Sequence, residues 1–74
     1  MELKPGQIWK HYKGTQYCIL HLARSSQTDD LHDVVVYQNV EFPEKIWTQS
    51  KERFLGIEEY EGQTVPRFTF VSDN

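Results

Sequence analysis

Aromatic side chains are concentrated in short β-like runs of this chain, and that distribution limits what the chain can fold into. Two tryptophans, four tyrosines and four phenylalanines occur among its 74 residues. Aromatic residues bury roughly 150–250 Å² each and suit a pleated surface. They can therefore supply the core of a β-domain that is too small to bury much else. The aromatic positions are Trp9, Tyr12, Tyr17, Tyr37, Phe42, Trp47, Phe54, Tyr60, Phe68 and Phe70.

Length, charge and cysteine content restrict the class of protein. The chain is long enough for one domain, residues 1–74, with its core between about residues 6 and 71. The formal net charge of −3 argues against a protein that coats nucleic acid through phosphate contacts. The single Cys18 excludes an intramolecular disulfide, which indicates a reducing compartment. The chain has no apolar run of about 20 residues and no signal peptide. We therefore expect a cytoplasmic protein without a membrane partner. Its small size also suits a homo-oligomer.

The first predicted hairpin spans the run from Gly6 to Ala23, and its turn lies at Lys13-Gly14. Two β-like runs joined by a short glycine-containing turn are typical of a hairpin. Two registers are compatible with this sequence. A two-residue loop would place Trp9 opposite Cys18, whereas a type I turn with a bulge at Gly14 would place Trp9 opposite Tyr17.

The rest of the chain predicts further short strands. Val34-Val35-Val36-Tyr37 is the strongest strand signal, because three β-branched residues in a row fit a sheet. Ile46-Trp47-Thr48 gives a short strand, Ser50 caps a single 3₁₀ turn, and the residues from Phe54 to Val71 form a closing hairpin. The spacing predicts an all-β fold, a small SH3-like, partly open barrel of five to six strands. Its predicted core contains Trp9 or Tyr17, together with Ile19, Val35, Tyr37, Trp47, Phe54 and Phe68.

Metal, cofactor and catalytic chemistry are not indicated. His11, Cys18, His21 and His32 lack the spacing of a zinc site, and the glycines do not form a phosphate-binding loop. Cys18 lies between Tyr17 and Ile19 on a core strand, where a free cysteine behaves as a small hydrophobic residue. We therefore predict no metal, no cofactor and no enzymatic activity.

Basic and aromatic residues interleave at one segment, and this supplies the candidate interaction surface. The surface comprises Trp9, His11, Tyr12, Lys13, Trp47 and Arg53. Such a set can form a groove for a peptide, or it can bind single-stranded nucleic acid through stacking and phosphate contacts. The same tryptophans can equally be core residues. The acidic balance favours a non-enzymatic protein- or peptide-interaction module, with a single-stranded nucleic-acid-binding module as the alternative.

Short motifs spread from about Gly6 to Phe68 form a specific combination. They are His11-Tyr12-Lys13-Gly14, Tyr17, Leu20, Ala23-Arg24, Ser26, Thr28, Val35-Val36-Tyr37, Trp47, Phe54, Gly62 and Val65-Pro66-Arg67-Phe68. With this combination the chain resembles a widespread bacterial family of short single-domain proteins defined only as a domain of unknown function. The resemblance implies a bacterial cytoplasmic protein and supports the small β-fold, but it implies no reaction, cofactor or partner.

The chain departs from the family pattern at three places. The segment from Arg24 to Val34 is longer than usual, and His21 replaces a small residue. Thr48-Gln49-Ser50 stands where the family has a Val-Arg-Pro-like segment, which removes a positive charge.

Overall fold

A computed structural model describes residues 2–24 and 33–73 as seven short strands and one helical turn. These elements are β1 (Ile8–His11), β2 (Gln16–Arg24), β3 (Asp33–Asn39), β4 (Ile46–Ser50), α1 (Lys51–Phe54), β5 (Ile57–Tyr60), β6 (Gln63–Pro66) and β7 (Phe68–Ser72). The all-β prediction is confirmed. His32, Ser26 and Thr28, which entered the sequence arguments, lie outside the described residues.

The strands form two antiparallel sheets. One has five strands in the order β4-β3-β2-β1-β7, and the other is the β5–β6 hairpin. The predicted closing hairpin therefore divides at Arg67: β6 pairs with β5, whereas β7 leaves it to pair with β1. Within the described ranges the sheets do not join into a closed barrel, so the SH3-like assignment stays a prediction.

The first hairpin has the register with a glycine bulge. Trp9 lies opposite Tyr17, not Cys18. The N–H of Gly14 donates to the carbonyl of His11 over 2.7 Å, and the N–H of His11 donates to the carbonyl of Thr15 over 2.7 Å. Gly14 has φ +106°. A turn closed in this way needs a residue in a left-handed conformation, which glycine adopts without a Cβ clash.

Ser50 caps the helical turn, as predicted. Its Oγ accepts a hydrogen bond from the N–H of Arg53 over 3.2 Å. The N–H of Leu55 then donates to the carbonyl of Lys51 over 3.0 Å. That spacing of four residues makes the turn α-helical and not 3₁₀. No helix in the described part of the chain is long and apolar enough to cross a membrane.

The core is a cluster of aromatic and aliphatic side chains between the sheet and α1. Phe54 from α1 stacks on Phe68 with ring centroids 4.0 Å apart, and Trp9 meets Phe54 edge-on at 5.5 Å. Trp47 is 50% exposed, so the prediction that it belongs to the core is wrong. The buried hydrophobic residues are Leu3, Trp9, Ile19, Val35, Tyr37, Phe54 and Phe68.

Candidate functional site

The structure separates the predicted surface residues into three groups. Trp9 is only 5% exposed and its ring packs in the core, so it contributes to no surface. His11, Tyr12 and Lys13 lie together at the turn between β1 and β2. Trp47 is exposed on β4, the strand farthest from β7 in the sheet, and Arg53 is exposed on α1.

A surface groove lies where the end of β1 meets β6 and β7. It has a volume of about 370 Å³ and is lined by Lys10, His11, Tyr12, Val65, Pro66 and Thr69, and we refer to it as the His11 groove. Two of the motifs noted in the sequence, His11-Tyr12-Lys13-Gly14 and Val65-Pro66-Arg67-Phe68, therefore meet in space. The groove unites part of the predicted surface with residues far away in the chain.

Aromatic rings connect this groove to the core. The ring of His11 meets the buried ring of Phe68 edge-on at 5.1 Å and lies 4.3 Å from the ring of Tyr12. Tyr12 in turn meets Tyr60 edge-on at 5.2 Å. Edge-to-face contacts of this kind fix ring orientations. The rings that line the groove thus pack against the buried stack of Phe54 and Phe68.

His11 is held in its neutral form. Burial lowers the pKa of His11, the charges of Lys13 and Arg67 lower it further, and Glu58 opposes them. Its Nδ1 accepts a hydrogen bond from the backbone N–H of Lys13 over 3.2 Å. In a neutral imidazole the other nitrogen then carries the proton. His11 therefore offers an Nε2–H donor at neutral pH.

Arg67 ties the walls of the groove together. Its N–H donates to the carbonyl of Gly56 over 2.9 Å, and its own carbonyl accepts from the N–H of Tyr12 over 3.0 Å. Its guanidinium forms an ion pair with Glu58 of β5. The buried Nε has no hydrogen-bond partner among residues 2–24 and 33–73. Arg67 thus fixes the β5–β6 hairpin relative to the turn that carries Tyr12.

Charges of both signs surround the groove. Lys10 lines it and Lys13 is exposed at the adjoining turn, whereas the β5–β6 hairpin carries Glu58, Glu59 and Glu61. A surface that binds nucleic acid mainly through phosphates is instead strongly basic. The electrostatic character of this groove is mixed.

The described residues contain no cluster of three His, Cys, Asp or Glu side chains that could hold a metal ion. Cys18 is half-buried, and its Sγ donates to the carbonyl of Ile19 over 3.6 Å. Its cross-strand neighbours are Ile8 and Gln38, neither of which is a base. Neither of these two residues could activate the thiol as a nucleophile.

Sequence reasoning found only one wall of the groove. Val65, Pro66 and Thr69 line the opposite side, and Tyr60 and Arg67 hold it in place. The sequence feature that indicates the second wall is Pro66-Arg67, where a proline without an N–H interrupts an otherwise β-like run. Such an interruption allows the chain to leave one sheet and enter the other.

Residues 7–70 match the model of a family described as a protein of unknown function (DUF1653). The chain belongs to this family, which confirms the prediction of a family defined as a domain of unknown function. A crystal structure of a DUF1653 protein from Bordetella bronchiseptica is similar, with 31% sequence identity and a TM-score of 0.74. The match covers 95% of this chain and 88% of that one. No curated protein matches the chain.

Proposed function

We propose that this DUF1653 protein is a cytoplasmic, non-enzymatic interaction module that binds a proline-containing, extended peptide segment of a partner protein. The proposed site is the His11 groove. The observation that carries the proposal is the convergence of Tyr12, braced by Tyr60, with Val65 and Pro66 around one groove. These side chains give it rigid walls of aromatic and apolar surface.

A peptide in the polyproline II conformation fits such walls. Proline-rich segments dock in aromatic-lined grooves because their conformation is preformed and little entropy is lost on binding. Rings fixed by packing, as Tyr12 is by His11 and Tyr60, reduce the ordering cost on the protein side as well. The groove therefore suits a short segment more than a folded surface.

Hydrogen-bond donors at the groove suit the backbone of such a peptide. A polyproline II segment has no internal hydrogen bonds, so its carbonyl groups are free to accept. The Nε2–H of neutral His11 and the hydroxyl of Tyr12 are donors carried by lining residues. Two donors would fix the register of the peptide, while the apolar walls supply most of the affinity.

The surroundings of Cys18 and His11 in the described part of the chain also suit a binding function. Cys18 has Ile8 and Gln38 as neighbours across the sheet, and His11 has aromatic rings beside it. Nucleophilic catalysis requires both groups within hydrogen-bond reach of each other. Neither side chain is placed for that in the described part of the chain.

The proposal is tested by selecting peptides and mapping where they bind. Peptides are selected from a displayed library with the purified protein, then titrated into ¹⁵N-labelled protein. We expect proline-containing sequences whose signal changes map to Tyr12, Val65 and Thr69. Tyr12→Ala should weaken binding by about tenfold, as truncation of a central aromatic contact does. Phe42→Ala is the matched control, because Phe42 is an exposed aromatic residue outside the groove lining.

Two results would overturn the proposal. One is a selected peptide whose signal changes lie outside the groove and whose affinity is insensitive to Tyr12→Ala. If circular dichroism shows that Tyr12→Ala is unfolded, Pro66→Ala replaces it in this test. The other is tight binding of a single-stranded oligonucleotide at the same groove, titrated in parallel at low salt and reversed by added salt. The alternative has some support, because the Lys13 ammonium lies 5.8 Å from the Tyr12 ring.

A further inference from the structure

Strand β4 forms one edge of the five-stranded sheet. It pairs with β3 on one side, and no described strand pairs with it on the other. An open edge presents a row of backbone donors and acceptors to any strand that can approach. We refer to Ile46–Ser50 as the β4 edge.

The register fixes which backbone groups face outward at this edge. Asn39 donates its N–H to the carbonyl of Lys45 over 3.0 Å. Because bonded and non-bonded pairs alternate in an antiparallel ladder, Trp47 and Gln49 also direct their backbone groups toward β3. The N–H and C=O groups of Ile46 and Thr48 consequently point away from the sheet.

The β4 edge lacks the features that normally prevent edge-to-edge pairing. Natural edge strands carry charged residues, prolines or bulges. Ile46–Ser50 has the sequence IWTQS, without a charge or a proline, and its pairing with β3 is continuous. Ile46 is 55% exposed and Trp47 is 50% exposed. Among residues 2–24 and 33–73, the edge thus combines unpaired backbone groups with exposed apolar side chains.

We propose that the β4 edge pairs antiparallel with the β4 edge of a second copy of this chain, centred on Trp47. Two identical antiparallel strands are related by a two-fold axis perpendicular to the sheet. Side chains that face each other across this axis must lie on the same face of the sheet. Because side chains alternate between the two faces along a strand, the two residue numbers are both odd or both even, and their sum is even. Each copy contributes the outward groups of Ile46 and Thr48, and Ile46 of one copy bonds with Thr48 of the other.

Charge and local structure favour this register over those centred at Thr48 and at Gln49. A centre at Thr48 would place Lys45 opposite Lys51 of the other copy, and like charges directly opposite are destabilising. A centre at Gln49 would carry the pairing into α1, which begins at Lys51. A centre at Trp47 places Lys45 opposite the neutral Gln49, so no like charges meet.

The two Trp47 side chains supply the apolar contact. At the centre of the pair they face each other in a non-hydrogen-bonded position, where side chains lie closest. Aromatic pairs across strands add to the stability of a sheet. A small domain without a disulfide also gains from the additional core that such a dimer creates. A second copy presents both the backbone pattern and the ring at the required positions.

Sedimentation velocity over a range of protein concentrations tests the dimer. We expect a monomer–dimer equilibrium with a dissociation constant in the micromolar range, typical of a small interface. Trp47→Lys should weaken dimerisation at least about tenfold. Ile57→Lys is the matched control, because Ile57 is 68% exposed on β5, outside the β4 edge, and its replacement should leave the equilibrium unchanged.

Thr48→Pro tests the backbone pairing itself. The N–H of Thr48 points outward, so proline removes a bond of the dimer and none within the chain. The Thr48→Pro variant should be a folded monomer. In the wild type, amide hydrogen exchange at Ile46 and Thr48 should slow as the protein concentration rises. A wild-type protein that stays monomeric to about 1 mM, or a dimer unaffected by both Trp47→Lys and Thr48→Pro, would overturn the inference. Neither result bears on peptide binding at the His11 groove.

Discussion

Replacing Gly14 by alanine isolates the backbone cost of the turn that carries His11 and Tyr12. A Cβ built at Gly14 has no atom within 4 Å, so steric contact with the rest of the protein contributes nothing. The φ of +106° lies well outside the left-handed region near +57° that L-residues tolerate. Holding a side-chain-bearing residue there costs roughly 1–2 kcal/mol.

The unfolded chain offsets part of that cost. Alanine restricts the unfolded state relative to glycine, which stabilises a protein by about 0.4–1 kcal/mol. The net loss for Gly14→Ala is therefore about 1 kcal/mol. For a domain of this size, that corresponds to a fall in Tm of about 4–8 °C. It also corresponds to a shift of about 1 M in the urea midpoint, if the m-value is near 1 kcal/mol/M.

Gly62 provides a matched comparison within the same chain. A Cβ at Gly62 also has no neighbour within 4 Å, but its φ is +77°, closer to the tolerated region. Its neighbour Glu61 already adopts φ +52° with a full side chain. Gly62→Ala should therefore cost clearly less than Gly14→Ala. Urea unfolding followed by the fluorescence of Trp9, which is buried, measures both. Equal losses, or a neutral Gly14→Ala, would refute the argument from φ.

Four further outcomes follow from named contacts. Lys13→Ala should change stability by less than about 0.5 kcal/mol, because Lys13 is exposed at the turn, and urea unfolding measures this. Gln7→Met should lower the free energy of unfolding by about 1–3 kcal/mol in the same assay. The buried Gln7 Oε1 accepts a hydrogen bond from Trp9 Nε1 over 3.1 Å, and the substitution leaves that N–H donor unpaired. Asp73→Ala, which removes only an exposed partner of Gln7, should be nearly neutral. Folding lowers the pKa of His11, so the unfolded chain binds more protons than the folded protein as pH falls below about 6.5. The free energy of unfolding should therefore decrease over that pH range. An NMR titration in which His11 of the folded protein protonates above pH 6.5 would contradict this prediction.

Local chemistry explains which parts of the fold could be predicted from the sequence. The hairpin at Gly14 and the cap at Ser50 depend on residues within a few positions of each other. Glycine is required where φ is positive, and a serine oxygen satisfies a free N–H at a helix start. Neither feature depends on which strands become neighbours, so both are readable before the fold is known.

The burial of the two tryptophans could not be predicted from local sequence. Trp9 lies opposite Tyr17, and Trp47 lies opposite Tyr37, so both rings are on the core side of the sheet. β1 is flanked by β2 and β7, and Phe70 of β7 covers Trp9 at 5.7 Å. β4 has a described strand on one side only, which leaves Trp47 exposed. Strand order decides their burial, and it depends on long-range pairings that alternation within a strand does not encode.

Arg67 illustrates the same limit for the candidate site. Its role depends on contacts with Gly56, Glu58 and Tyr12, which reach it from different elements. The sequence near Arg67 marks only a break between two β-like runs. The convergence that creates the groove appears once β7 pairs with β1.

Together, the two proposed surfaces would make the protein a bivalent binder. β4 and β1 are separated by two strands in the sheet, so a dimer through the β4 edge leaves both His11 grooves free. With about 4.8 Å between neighbouring strands, the two β1 strands would lie roughly 34 Å apart.

A peptide carrying two copies of a selected sequence tests this arrangement. A flexible Gly/Ser linker of about 35–45 residues has a mean span near the expected separation. Joining the two copies through such a linker should raise the apparent affinity by about 10²-fold or more over the single peptide. Thr48→Pro should abolish that gain while leaving the affinity for the single peptide unchanged, because its N–H lies at the β4 edge and outside the groove lining. A gain of equal size in wild-type and Thr48→Pro protein would show that bivalent binding does not depend on pairing at the β4 edge.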